Sequence, residues 1–225
     1  MPYSKTIVCL ANSRKTSGRC IAGKVWSNGV GGDWLRPVSG RPSHEVSEEE
    51  RRYQNGQDLK LLDIVSIPCL EPLPVPHQRE NHILDPGYFW EKKGTLAWSQ
   101  VDELIDSPTD LWSPGESSYA FLNNRVLDGY QGGISLYLIA VDSLELLVGA
   151  KSAQYPKRIV RGKFKYSGVH YSMSVTDPAV EKTFLHKADG SYTIQNPRLC
   201  ISLGDQFQGY FYKLIAAVLF QDQFR

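Results

Sequence analysis

The chain has 225 residues, enough for one large core or two small ones, with 41% hydrophobic and 22% charged residues and a net charge of +1. That balance excludes a disordered chain, and no apolar run approaches the roughly 18–20 residues a membrane-spanning helix requires. The N-terminal MPYSKTIVCLANSRK has too short an apolar stretch for a secretory signal, so a cytoplasmic location and no membrane partner are expected.

Apolar alternation and turn residues predict strands at KTIVCLA, GRCIAGKVW and GDWLRPVS, the last two joined by the glycine-rich SNGVGG. Ser47 with Glu50 three residues later forms a capping box, which opens a short helix over EEERRYQNG that Gly56 can close. LLDIVSIPCL returns to strand. Alternate prolines in EPLPVPHQREN predict an extended linker that ends the first domain near residue 75. Residues 76–133 read as a connecting segment, with a short helix at SQVDELID that Ser99 caps.

A second strand series runs through ISLYLIAVDSLELLVGA, KRIVRGKFKY and VHYSMSVT. Asp177 followed by Pro178 is an N-cap with proline in the first turn, predicting a helix over PAVEKTFLHK. RLCISLG and YFYKLIAAVLF close the series, the last fitting strand or helix by periodicity. Both halves therefore share one order: three strands, a capped helix, then strand. That order is the OB-fold's, in which a helix between the third and fourth strands plugs a five-stranded Greek-key barrel. The expected fold class is mostly β with short helices, as two tandem OB-like β-barrels joined by an irregular, partly helical connection. They span residues 1–75 and 134–225, and the 76–133 connection can complete the first barrel. HILDPGYFW is the nearest candidate for that barrel's fifth strand; a single mixed β-barrel with insertions is the alternative.

IVCLANSRKTSGRCIAGK, WLRPVSGRPSHEVSEEE and LLDIVSIP, together with GKFKYSGVHYSMSVTDP and LCISLGDQFQGYFYKLIAAVL, resemble the bacterial family of dual OB domain-containing proteins. The resemblance covers nearly the whole chain. It implies the two-barrel architecture and a nucleic-acid role, and it implies no reaction or catalytic residue.

Charge is segregated along the chain. Residues 1–32 carry Lys5, Arg14, Lys15, Arg19 and Lys24 without an acid, and 146–176 carry six cations without an acid, whereas 33–145 hold nine basic against nineteen acidic residues. In the second acid-free run, KSAQYPKRIVRGKFKYSGVHYSMSVT, cations are interleaved with the rings of Tyr155, Phe164, Tyr166 and Tyr171. A hairpin turn at Ser167–Gly168 puts Arg161, Lys163 and Lys165 on one side of a strand and Phe164 and Tyr166 on the other, unless Gly162 makes a bulge. The cations, with Lys157 and Arg158, suit a phosphate backbone, and Tyr171 is expected to stack on a base. The plainer reading is a solvated basic strand face.

ANSRKTSGR supplies a second candidate, a donor-rich loop in which Asn12, Ser13, Arg14, Lys15 and Arg19 could hold a phosphate, extended by Trp34 and Arg36 from WLRPVSGR. Turn composition alone would also place Asn, Ser and Gly there. GRCIAGKV comes within one residue of a phosphate-binding loop, but Val25 lacks the hydroxyl and VWSNGVGG reads as strand and turn instead of the required helix.

Cys9, Cys20, Cys69 and Cys200 lie in or beside apolar runs with no paired spacing and read as reduced core residues. The five histidines form no ligand-spaced pair with a cysteine, so no metal site and no cofactor are expected. Asp63 and Asp177 are available carboxylates, read as a strand-opening residue and a helix cap. The leading function is a non-catalytic binding module for single-stranded nucleic acid or a nucleotide-containing ligand. The alternatives are an enzyme acting on nucleic acid or nucleotides at the Asn12–Arg19 loop, and a protein-interaction domain that meets its partner through residues 80–133.

Overall fold

The computed structural model describes residues 2–112, 115–118, 121–152 and 155–224, with the backbone alone at Lys151, Ser152, Tyr155, Pro156 and Phe224. It divides into two compact units, Met1–Leu104 with Gln131–Ile134, and Ile105–Tyr130 with Ser135–Arg225. Each unit is organised around its own curved sheet and its own apolar core.

In the first unit β1 (Tyr3–Lys15), β2 (Gly18–Ser27) and β3 (Val30–Val38) form the antiparallel meander that the sequence predicts. β4 (Asp63–Pro72), β5 (Asn81–Leu84) and β6 (Glu91–Thr95) follow the short helix α1 (Glu48–Arg51). β1 pairs with both β2 and β4, and β5 runs parallel to β3 and antiparallel to β4, which closes a five-stranded ring. A bulge between Cys9 and Ala11 lets β1 bend toward both neighbours. Gly23 permits the bend, since a Cβ there would lie 2.0 Å from the Val8 carbonyl oxygen. Ile7, Cys9, Ile21, Leu35, Val65 and Ile67 fill the interior from alternate positions.

The capping box holds as predicted: Ser47 N donates to the Glu50 carboxylate at 2.8 Å, and Glu50 N to the Ser47 hydroxyl at 3.2 Å. The helix stops at Arg51, well short of Gly56, because Tyr53 leaves it for the core, where its hydroxyl donates to Asp63 at 2.8 Å. The expected fifth strand is β5, formed from the beginning of HILDPGYFW; the remainder is a turn leading into β6. Where the prolines suggested a boundary near residue 75, the chain bridges Val75 to Gln78 and returns as β5, so this unit continues to a 3-10 helix at Trp98–Leu104.

The second unit contains β7 (Glu116–Ser118), β8 (Phe121–Leu127), β9 (Leu136–Ala140), β10 (Ser143–Ser152), β11 (Tyr155–Tyr166) and β12 (Val169–Val175). After α2 (Pro178–Phe184) come β13 (Gly190–Gln195), β14 (Arg198–Phe207) and β15 (Tyr210–Leu219). The sheet order is β13-β10-β11-β12-β15-β14-β9. β9, at one end of this order, passes through Val141 and Asp142 into β10, which lies next to the other end, so the sheet curls back on itself into an OB-like, partly open barrel. As β3 does with β5 in the first unit, the strand before the helix pairs in parallel with a strand that follows the helix, here β12 with β15. Asp177 caps α2 through Ala179 N at 2.9 Å and accepts from Val218 N at 3.0 Å, tying the helix to β15; burial pushes its pKa up.

Two details differ from expectation: ISLYLIAVDSLELLVGA is two strands because β9 and β10 have different partners, and β13 is an additional edge strand. YFYKLIAAVLF, which periodicity left open between strand and helix, is a strand. β8 pairs with Tyr210–Tyr212 of β15, beside the short β12–β15 pairing at Ser174–Val175, so it widens the sheet face there.

Candidate nucleic-acid interface

The turn Ser167–Gly168 has positive φ at both residues, 46° and 81°, the geometry of a two-residue hairpin. It sets the register Arg161↔Ser174, Lys163↔Ser172 and Lys165↔His170 without a bulge at Gly162. Gly162 instead serves packing: a Cβ there would meet Ile215 Cδ1 at 2.4 Å. Alternation then acts as predicted. Lys163 and Lys165 are exposed, Phe164 is buried, and the Arg161 guanidinium lies 4.9 Å from the Phe121 ring of β8. The Glu145 carboxylate stands across from Lys163 on β10 and accepts the Ser191 hydroxyl at 2.6 Å, so one acid borders this row.

Tyr171 corrects the sequence reading. It is only 2% exposed, its ring stacks on Phe164 at 5.4 Å, and its hydroxyl accepts from Leu111 N at 3.4 Å. A base cannot reach it. The reason is parity: Tyr171 pairs directly with Phe164, and paired residues share a face. Arg158 is also committed elsewhere, since its guanidinium donates to the Leu185 and Lys187 carbonyls after α2 and pairs with Asp189 at 2.8 Å. Lys157 is exposed. The Tyr155 ring lies outside the described residues.

The rings on the outer face come from strands the sequence reading did not select. Phe211 packs in the core, so its neighbours Tyr210 and Tyr212 point outward, and Phe207, across the β14–β15 turn, is 61% exposed. Tyr212 lies 6.3 Å from Phe207 and 6.4 Å from Tyr210. The Arg125 guanidinium, paired across from Tyr212 on β8, covers the Tyr210 ring at 4.0 Å and approaches Glu116 at 3.7 Å. The signal was present as FQGYFY, a turn dipeptide flanked by rings at alternate positions.

Under these rings, Lys213 points the opposite way, into the barrel. It is 1% exposed, its amine has no hydrogen-bond partner among the described residues, and the Tyr171 ring lies 5.5 Å away. Burial pushes its pKa down to about 8, with Asp110 opposing.

In the first unit the predicted loop is the end of a hairpin. Asn12 to Lys15 belong to β1 and Arg19 to β2, and the turn is only Thr16–Ser17. Register splits the set: Asn12, Arg14 and Arg19 share the side of core residue Ile21, whereas Ser13, Lys15, Trp34 and Arg36 are on the other. Asn12 Nδ2 donates to Leu59 O at 3.0 Å and Ser13 is 5% exposed. Arg36 is 4% exposed and bonds Glu80 and the Cys20 sulfur, each at 3.2 Å, while Trp34 lies 5.6 Å from the Lys24 amine. At the hairpin tip the buried Glu45 carboxylate accepts from Ser17 at 3.3 Å, and the Ser43 hydroxyl foremost holds its pKa low. An ionised carboxylate where the donor-rich loop would hold phosphate disfavours that reading, and Ser13 and Arg36 act as packed structural residues. GRCIAGKV is strand β2.

Asp63 accepts from Tyr53, Lys92 and Lys60 N, which accounts for this buried carboxylate structurally. All four cysteines are free, and among the described residues no group of three or more His, Cys, Asp or Glu could hold a metal ion. No described helix is long and apolar enough to cross a membrane.

Two OB-like barrels, each with a helix between its third and fourth barrel strands, define a tandem OB-fold module. The chain belongs to the family of the dual OB-containing domain, whose sequence model matches residues 5–218. No curated protein and no solved structure matches it.

Proposed function

We propose that the chain binds single-stranded nucleic acid on the outer face formed by β11, β12, β8 and β15 of the second unit. The observation that carries the reading is the conjunction on that face of a cationic row, Arg161, Lys163 and Lys165, with the outward rings of Tyr210, Tyr212 and Phe207. Alternate side chains on a strand are about 6.7 Å apart, so the row extends for about 13 Å, longer than one phosphate uses. That length favours a polynucleotide over a single nucleotide. Flat rings accept any base face, and Arg125 stacked on Tyr210 adds a second planar surface.

Fluorescence anisotropy with a labelled oligothymidylate of about 12 nucleotides, within the usual site size of one OB barrel, tests the proposal. Binding should weaken steeply as salt is raised, with a log–log slope near −2 if three phosphates are engaged. Absence of binding at about 50 mM salt overturns it.

A further inference from the structure

We infer that the first unit carries a second, separate base-stacking site at Tyr88, Phe89 and Arg52. The inference rests on the single-strand reading above and extends it to a surface which that reading does not use. Tyr88 is 67% and Phe89 51% exposed, adjacent rings on the turn between β5 and β6. Two neighbouring exposed rings expose apolar area that a folded chain ordinarily withdraws.

The turn presents them firmly. Asp85 accepts from Gly87 N at 3.0 Å, which fixes its first half. Trp90, next in the chain, is 1% exposed, belongs to the core and bridges to Tyr53, which fixes its end. Trp90 and Tyr53 thus anchor the segment while Tyr88 and Phe89 stay in solvent. The Arg52 guanidinium, at the end of α1, lies 5.7 Å from the Phe89 ring. A guanidinium beside an outward-facing ring is also what Arg125 and the half-buried Tyr210 make in the second unit. Both surfaces are planar, and both stack on bases.

The surrounding charge differs between the two places and sets the kind of contact. Glu49 lies 3.8 Å from Arg52, Glu91 pairs with Lys93 at 2.6 Å, and Lys92 is drawn to Asp63. Cations around this turn are answered by nearby carboxylates, so few are left to attract phosphates. The site should take bases with little counterion release and therefore little dependence on salt. The ligand is a base of single-stranded nucleic acid, held by its face.

Photocrosslinking of the full chain to a single strand containing 5-iododeoxyuridine tests this. Tryptic cleavage separates the two places, since Tyr88 and Phe89 fall in the peptide of residues 80–92 and Phe207, Tyr210 and Tyr212 in that of residues 199–213. Adducts on both peptides are expected, with those at Tyr88 or Phe89 persisting at a salt concentration that removes the others. Phe89→Ala should lower the 80–92 adduct several-fold and leave 199–213 unchanged, and Phe89→Trp should restore it. Should Phe89→Ala fail to fold, Arg52→Gln should lower the same adduct. Adducts confined to 199–213 overturn the second site and leave the first reading intact. Adducts on Trp90 alone, or an 80–92 adduct unaffected by both variants, overturn it equally and point to a protein-binding surface. Adducts on neither peptide overturn both.

Discussion

The Arg125 guanidinium lies over the Tyr210 ring at 4.0 Å on the outer face of the second unit, while Lys213, three residues along β15 from Tyr210, points into the core. One strand thus supplies a solvent-facing stacking surface and an interior amine, because odd and even positions of a strand face opposite ways.

Tyr210→Ala combined with Tyr212→Ala removes both β15 rings from the face. Affinity for oligothymidylate should fall by about 1–3 kcal/mol per stacked base, with the salt slope unchanged because no counterion release is lost. Anisotropy titrations at two salt concentrations measure both quantities. Unchanged affinity would show that the rings do not meet bases.

Lys163→Ala with Lys165→Ala should act in the opposite sense, lowering the salt slope by roughly 0.7 for each lost phosphate contact and weakening binding across sequences alike. Arg158→Ala serves as the internal contrast. Its guanidinium holds the carbonyls after α2, so the change should reduce stability by about 1 kcal/mol and leave the salt slope intact.

Tyr171→Ala should cost about 3–5 kcal/mol of stability, because it removes a buried ring stacked on Phe164. Tyr171→Phe keeps the ring and loses only the long bond from Leu111 N, a cost of about 1 kcal/mol or less. Denaturant melts give both values. Binding by the folded fraction should match the parent in each case, and a loss confined to binding would contradict the interior placement.

Lys213→Met should stabilise the protein at pH 7 by up to about 3 kcal/mol, the free energy corresponding to a pKa near 8 in place of 10.5. The folded pKa is depressed, so between these values the unfolded chain binds the proton and the folded chain does not. Parent stability therefore rises with pH across that window, and the full cost of the buried cation is present below pH 8. The advantage of the variant should narrow by about 1 kcal/mol between pH 7 and pH 9, below the range where phenols ionise. Urea melts of parent and variant at both pH values check the sign, and a constant difference would show that Lys213 is not carrying a buried charge.

Local rules make much of the fold legible in the sequence. Ser47 and Glu50 announce α1, Asp177 and Pro178 announce α2, and Ser167–Gly168 fixes the parity that exposes Lys163 and Lys165. Each of those signals acts between residues close in sequence, where backbone geometry and a single hydrogen bond decide the outcome. Tyr171 was legible in principle, since a strand position opposite Phe164 must share its face, but periodicity without register left both faces open. Only tertiary pairing decided the rest. It placed β5 parallel to β3, which carried the first unit past the prolines to Leu104, and it set β8 beside β15, which brought Arg125 over Tyr210. Those contacts join residues tens of positions apart, and they form because a curved sheet with unpaired edges gains hydrogen bonds and buried apolar area by closing. Sequence determined which residues turn, cap and alternate; closure of the sheets determined which rings and cations share a face.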